Sequence, residues 1–408
     1  MRHARRRRPA LVLAIALAGA CGEAPVRYVS TRDGGRWSAP VRWAIPPGGA
    51  AVVTNSGESS VTVVDLARSE VLAVFSIGVG PLARNGPHHL GIDLRRGQLY
   101  APLSFPAPPI ATGPHAAHGS AQVPGILVKR DLWSMRLLAR ADVDPNPGDM
   151  ALSPDLGRVF VSHFDLRRAL ENPGSRAARL SNLVVLDAVD LRRQHSVPVC
   201  VAAHGMALAP DGRTAYLACF GDDAMGIVDL GDGTLAPAVS LVPIAGAAPA
   251  DGRVVFGPYA LVMSRDGRTL WAGCTEQPVL IPFDAQTRRW RGDAALRLLG
   301  RPYFPGFSAD GRRMYVPMQN RDGLAVVALG DQPTLERQAT FAAEQCVLPH
   351  QAAIGPDGAL YLLCEGVHTT TRAEPGTLLV LDPQTLAVRR TIAVGVFPDA
   401  IAFLGAGR

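Results

Sequence analysis

His204-Gly-Met-Ala-Leu-Ala-Pro-Asp-Gly-Arg-Thr-Ala-Tyr-Leu-Ala-Cys219 reads as two period-2 strands joined by a tight turn at Asp211-Gly212, with an aromatic residue in the second strand. The same phrase returns at 259–271, 303–315 and 350–361, and in looser form at 89–100 and 149–160. Its turn glycines are Gly97, Gly157, Gly212, Gly267, Gly311 and Gly358, separated by 60, 55, 55, 44 and 47 residues. That period matches one four-stranded propeller blade with its loops, and the strand pattern excludes a helical solenoid. A third apolar run follows each pair, as in Val61-Thr-Val-Val-Asp65, Leu183-Val-Val-Leu-Asp187 and Leu378-Leu-Val-Leu-Asp382, and its Asp starts the turn into a more polar fourth strand.

Six complete phrases leave two fragments. Residues 51–78 hold three strands without an inner one, and residues 398–404 form an inner strand with no blade after it. Joined, they complete a seventh blade and remove the free sheet edges. The expected fold is all-β: one seven-bladed propeller over 45–405, preceded by a linker at 22–44. A chain of 408 residues with 48% apolar and 19% charged residues can build such a core, and disorder and coiled coil are excluded.

The phrase resembles the YVTN-type repeat of seven-bladed propellers, the group that includes YncE-like and lactonase-like proteins. The residues that carry the resemblance are Pro210-Asp-Gly-Arg-Thr-Ala-Tyr-Leu-Ala218, Ser264-Arg-Asp-Gly-Arg-Thr-Leu-Trp-Ala272 and Gly355-Pro-Asp-Gly-Ala-Leu-Tyr-Leu362. The resemblance implies the fold strongly and function weakly, because such propellers serve as enzymes, binding platforms and surface scaffolds.

In a propeller the inner strand begins near the axis on the top face, so the residue eight places before each turn glycine is expected at the channel mouth. That register gives His89, Asp149, His204, Tyr259, Tyr303 and His350, and the final fragment adds Asp399. His88 lies one residue from this register. Three imidazoles and two carboxylates (His89, His204, His350, Asp149 and Asp399) suit a divalent transition metal such as Zn²⁺, Cu²⁺ or Fe²⁺. Equally, polar residues there serve channel water and backbone groups. Insertions at 102–124, 163–181 and 365–376 open on the same face and carry His115, His118, His163 and His368.

Cys200 and Cys219 bracket His204, and Cys346 and Cys364 bracket His350 at nearly equal spacing, which predicts two homologous disulfides. Cys274 aligns with Cys219 and Cys364 but has no upstream mate, so a buried free thiol is expected.

Residues 1–21 read as a secretory signal: Arg2 and Arg5 to Arg8, an apolar run from Ala10 to Ala20, then Cys21. Leu17-Ala-Gly-Ala-Cys21 resembles a lipobox with its Leu displaced by one place, so lipidation of Cys21 and ordinary cleavage near it both stay open. Gly22 after Cys21 favours the outer membrane by resemblance to lipoprotein sorting, and the address is the periplasm or outer membrane. The formal charge of +6 largely vanishes with the five leader arginines, which leaves 36 basic against 35 acidic residues and makes nucleic acid an unlikely partner. No Cys-x-x-Cys-His, His-Glu-x-x-His, Gly-x-Ser-x-Gly or phosphate-loop motif is present. Two functions are therefore expected: a monomeric, lipid-anchored platform binding a protein, glycan or small ligand on its top face, or a metal-dependent or lactonase-like enzyme using the His/Asp ring.

Overall fold

The computed structural model describes residues 28–29, 42–79, 85–105, 118–153, 155–231, 236–247, 253–367 and 373–405. Its strands form seven antiparallel sheets in ring order. Blade 1 consists of Ala50–Asn55, Ser60–Asp65 and Glu70–Ser76, closed on its inner side by the C-terminal strand Pro398–Leu404. The closure expected from the two fragments is thus observed. At the outer edge of that blade Tyr28–Val29 adds a short parallel strand, and Trp43 donates its indole N–H to the Leu132 carbonyl at 2.7 Å. Part of the 22–44 segment is therefore attached to the propeller.

Blades 3, 4 and 7 show the regular build. Their inner strands are Pro147–Ser153, Ala203–Leu208 and Pro349–Ile354, and their second strands are Arg158–His163, Thr214–Cys219 and Leu360–Cys364. The core lies between blades. Along Leu360–Cys364, Leu360 and Leu362 pack against blade 6 while Tyr361 and Leu363 pack against blade 1, so both faces of the strand are apolar. Outer strands face water, and Thr334–Thr340 is exposed along almost its whole length.

The repeated aromatic ties blades together. The hydroxyls of Tyr100, Tyr216 and Tyr315 donate to the carbonyls of Ala188, Ala285 and Pro383 in the turn of the following blade. In several blades the Asp closing the third strand accepts backbone N–H groups of its turn, as Asp284 does from Gln286 and Thr287 and Asp382 from Gln384 and Thr385.

Cys200 and Cys219 form one disulfide, Cys346 and Cys364 the other, and Cys274 is a buried free thiol. Cys200 belongs to Arg193–Val201, the outer strand of blade 3, so this bridge joins blades 3 and 4. Its counterpart joins the segment after the blade 6 outer strand to blade 7. No helix among the described residues is long and apolar enough to cross a membrane.

Candidate metal centre

The ring residues sit where the chain dives from the rim of one blade to the axis of the next. Asn146, Ala202, Gly257, Leu348 and Phe397 have positive φ just before the inner strands of blades 3, 4, 5, 7 and 1. This kink delivers Asp149, His204, Tyr259, His350 and Asp399 to the axis, all buried. In several blades a proline precedes the ring residue: Pro258-Tyr259, Pro302-Tyr303, Pro349-His350 and Pro398-Asp399. By that marker the blade 2 member is His88, after Pro87, rather than His89.

Both histidines are in fact buried at the axis, with ring centroids 4.7 Å apart. Side chains of consecutive strand residues normally point to opposite faces. His89 escapes this because its φ is +64°, and the inner strand of blade 2 is broken between Gly86–Pro87 and Gly91–Asp93. The eight-residue spacing misses His88 because blade 2 carries one extra residue there. The Pro-x marker is the sequence signal that finds it.

The ring closes through direct contacts. His88 Nδ1 hydrogen-bonds to Asp399 Oδ2, and Asp399 Oδ1 lies 3.3 Å from His350 Nδ1. Tyr303 stands 5.2 Å by ring centroids from both His350 and Tyr259, and Tyr259 stacks on His204 at 3.7 Å. Ser162 Oγ donates to the His204 carbonyl at 2.5 Å and accepts from Asp149 N–H at 2.9 Å. Asp149 Oδ1 lies 3.1 Å from His89 Nδ1.

His118 comes from the first insertion, on the short 3₁₀ turn His118–Ser120. Asn146 holds that turn: Ala121 N–H donates to its Oδ1 at 2.6 Å, and its amide donates back to the Ala121 carbonyl. The His118 ring lies 4.0 Å from His88 and 5.0 Å from His204. His163 is buried and turned away, with Nδ1 2.8 Å from the Asn182 carbonyl oxygen. His115, His368 and Cys21 lie outside the described residues.

Nitrogen atoms of His88, His118 and His204 all lie within 4.8 Å of one another, and so do ligand-type atoms of His88, His89 and Asp399. His88 Nε2 and His204 Nε2 are 3.2 Å apart. Two nitrogens bound tetrahedrally to one zinc ion at about 2.0–2.1 Å stand about 3.3 Å from each other, so this pair already has the required span. Among the expected ligands, Asp149 belongs to neither group, because its oxygens accept the Met206 and Met150 N–H groups at 2.8 and 2.6 Å. His350 also belongs to neither, and its Nδ1 donates to the Asp399 carbonyl at 2.8 Å.

Burial opposes charge on several of these groups. It pushes His88 well below the usual imidazole range, assisted by the neighbouring imidazoles, and brings His89 and His118 to about 3. Asp149 is pushed up to about 7 by burial, against the pull of its backbone N–H donors. The phenols of Tyr259 and Tyr303 are raised for the same reason. At neutral pH His88, His89 and His118 are therefore uncharged, the form a metal requires. Two flanking groups had no signal in the repeat: buried Glu365, which accepts from Gln319 Nε2 at 2.8 Å, and Phe304, packed 4.8 Å from the His89 ring.

No family model matches the sequence, and no curated protein matches it. Solved structures do. The periplasmic gluconolactonase of Pseudomonas aeruginosa superposes with a TM-score of 0.65 at 16% identity, over 88% of this chain and 99% of its own. Candidate 6-phosphogluconolactonases of Bacteroides uniformis and Bacteroides fragilis superpose with a TM-score of 0.63 at 14% and 13% identity, over 88% of this chain and 100% and 98% of theirs. These proteins share its fold. The YVTN-type, lactonase-like resemblance in the repeats thus extends to the three-dimensional architecture.

Proposed function

We propose that this chain is an exported propeller that binds one divalent transition metal between His88, His118 and His204 and hydrolyses a small lactone or related ester at the channel mouth. The observation that carries the metal is the convergence of three imidazoles, His88 and His204 buried and His118 partly buried, two of them with nitrogens already 3.2 Å apart. Three nitrogen ligands and no thiolate in the group suit Zn²⁺ best among common ions. The reaction class draws support from the lactonases that share the fold. The two disulfides favour an oxidising compartment, and with the leader they support export, with Cys21 as the anchor point. The buried cluster favours this reading over the plain binding platform, since a surface platform has no use for desolvated imidazoles.

A bound metal would supply a Lewis acid and an activated water at neutral pH. The chain's own groups do the rest. Tyr259 packs over the His204 ring and fixes its plane. His89 is the group placed to move a proton: Asp149 holds its Nδ1, and its Nε2 has no hydrogen-bond partner among the described residues. Tyr303 and Tyr259 stay protonated and can donate to a developing oxyanion.

The test is metal analysis of the full chain purified without chelator, followed by assays on a panel of γ- and δ-lactones with and without chelator. About one equivalent of metal, and hydrolysis that chelator abolishes and zinc restores, is the expected result. Metal-independent hydrolysis would refute the metal's role. Bound metal without hydrolysis of any ester would refute the reaction class.

A further inference from the structure

Asp399 is fully buried on the C-terminal strand, and a buried carboxylate must be neutralised by donors. Its Oδ2 accepts from Ser56 Oγ at 2.8 Å and from His88 Nδ1. The single Ser56 hydroxyl proton is shared with the Pro87 carbonyl, whose oxygen lies 2.6 Å away, so the serine ties blade 1 to the residue just before His88. On the other side, Asp399 Oδ1 and the Asp399 carbonyl both face His350 Nδ1. A neutral imidazole has one ring proton. If His88 gives that proton to Asp399 through Nδ1, its Nε2 keeps a lone pair, and Nε2 is the atom aimed at His204 Nε2.

We infer that Asp399 is a positioning residue rather than a metal ligand: it fixes His88 in the Nδ1–H form so that Nε2 ligates, and the site holds one ion on His88, His118 and His204. This rests on the metal-binding reading above. It also favours the first of the two overlapping groups, since the set His88, His89 and Asp399 would use a carboxylate already hydrogen-bonded to His88 Nδ1. Histidine ligands held by a carboxylate on their second nitrogen are oriented and made more basic, and loss of such a carboxylate typically weakens the metal about 10–100-fold. His350 is expected to act one step further out, on Asp399.

Two measurements test this. Long-range proton–nitrogen NMR on the ¹⁵N-labelled, metal-free full chain reads the tautomer without any variant, and Nδ1–H at His88 is expected. Titration with Co²⁺ alone then compares the wild type with Asp399→Asn. The expected result is one equivalent in both, an affinity about 10–100-fold weaker in the variant, and a visible band of unchanged shape because the three nitrogens remain. An Nε2–H tautomer at His88, two equivalents in the wild type, or a changed band in the variant would overturn the assignment. Should the wild type bind no Co²⁺ while His88 is Nδ1–H, the metal-binding reading fails and the orienting contact stands. Should it bind Co²⁺ with the opposite tautomer, the reverse holds.

Discussion

Single residues at the channel mouth are constrained by backbone contact as much as by chemistry. Gly205, next to His204, is such a case: a Cβ there would meet Leu261 N at 2.5 Å and Tyr259 O at 2.6 Å. Gly205→Ala must push the inner strands of blades 4 and 5 apart, which separates the stacked His204 and Tyr259 rings. A loss of about 1–3 kcal/mol is expected from overpacking, together with weaker Co²⁺ binding, read by chemical denaturation and by the same titration. Among the pH-sensitive groups, His163 lies outside the candidate ligand set. Burial lowers it to about 4 from its ordinary 6.5, so in this window the unfolded chain binds a proton that the folded chain refuses. Its contribution to stability is therefore complete above pH 6.5 and is lost as pH falls towards 4, at up to about 1.4 kcal/mol per pH unit. His163→Gln should flatten the fall of Tm between pH 6.5 and 4.5 relative to wild type, and an unchanged slope would count against a neutral His163. The repeat phrase showed which positions face the axis, yet His88 needed the Pro-x marker because one extra residue shifts blade 2.

At the level of elements, the two disulfides are staples between neighbouring blades. They close 19 and 18 residues, and each is expected to contribute about 3 kcal/mol through the restricted unfolded chain. Cys200→Ser with Cys219→Ser should lower stability by about that amount in a denaturant titration. Thiol counting on residues 22–408 should find a single thiol, Cys274, and only after denaturation, because the group is buried. The pairing was legible from two cysteine pairs of nearly equal spacing. That each pair spans two blades was not, because a strand's place in its sheet depends on distant partners. The insertions behaved in the same way. Their sequence predicted a place on the top face, but only packing shows that Asn146 holds the turn of the first, His118–Ser120, over the His88 and His204 rings.

For the whole molecule, the decisive feature is the ring closed by its two ends. Pro398–Leu404 pairs with Ala50–Asn55 across some 340 residues, and it also carries Asp399. Truncation after residue 397 is expected to abolish cooperative unfolding and Co²⁺ binding together, measured by calorimetry and titration. A truncated chain that still melted sharply would show that closure is not what holds the ring. The sequence by itself determined the blade count, the turns, the closure and the identity of most axis residues, because these follow from local period-2 patterning and from repetition. What the tertiary structure decided is which of those residues meet. His88, His118 and His204 come from a broken strand, an insertion and a regular inner strand, and their Nε2 and ring contacts depend on the angle between blades. No local pattern encodes that angle: it is set by how the apolar faces of seven sheets pack around one axis.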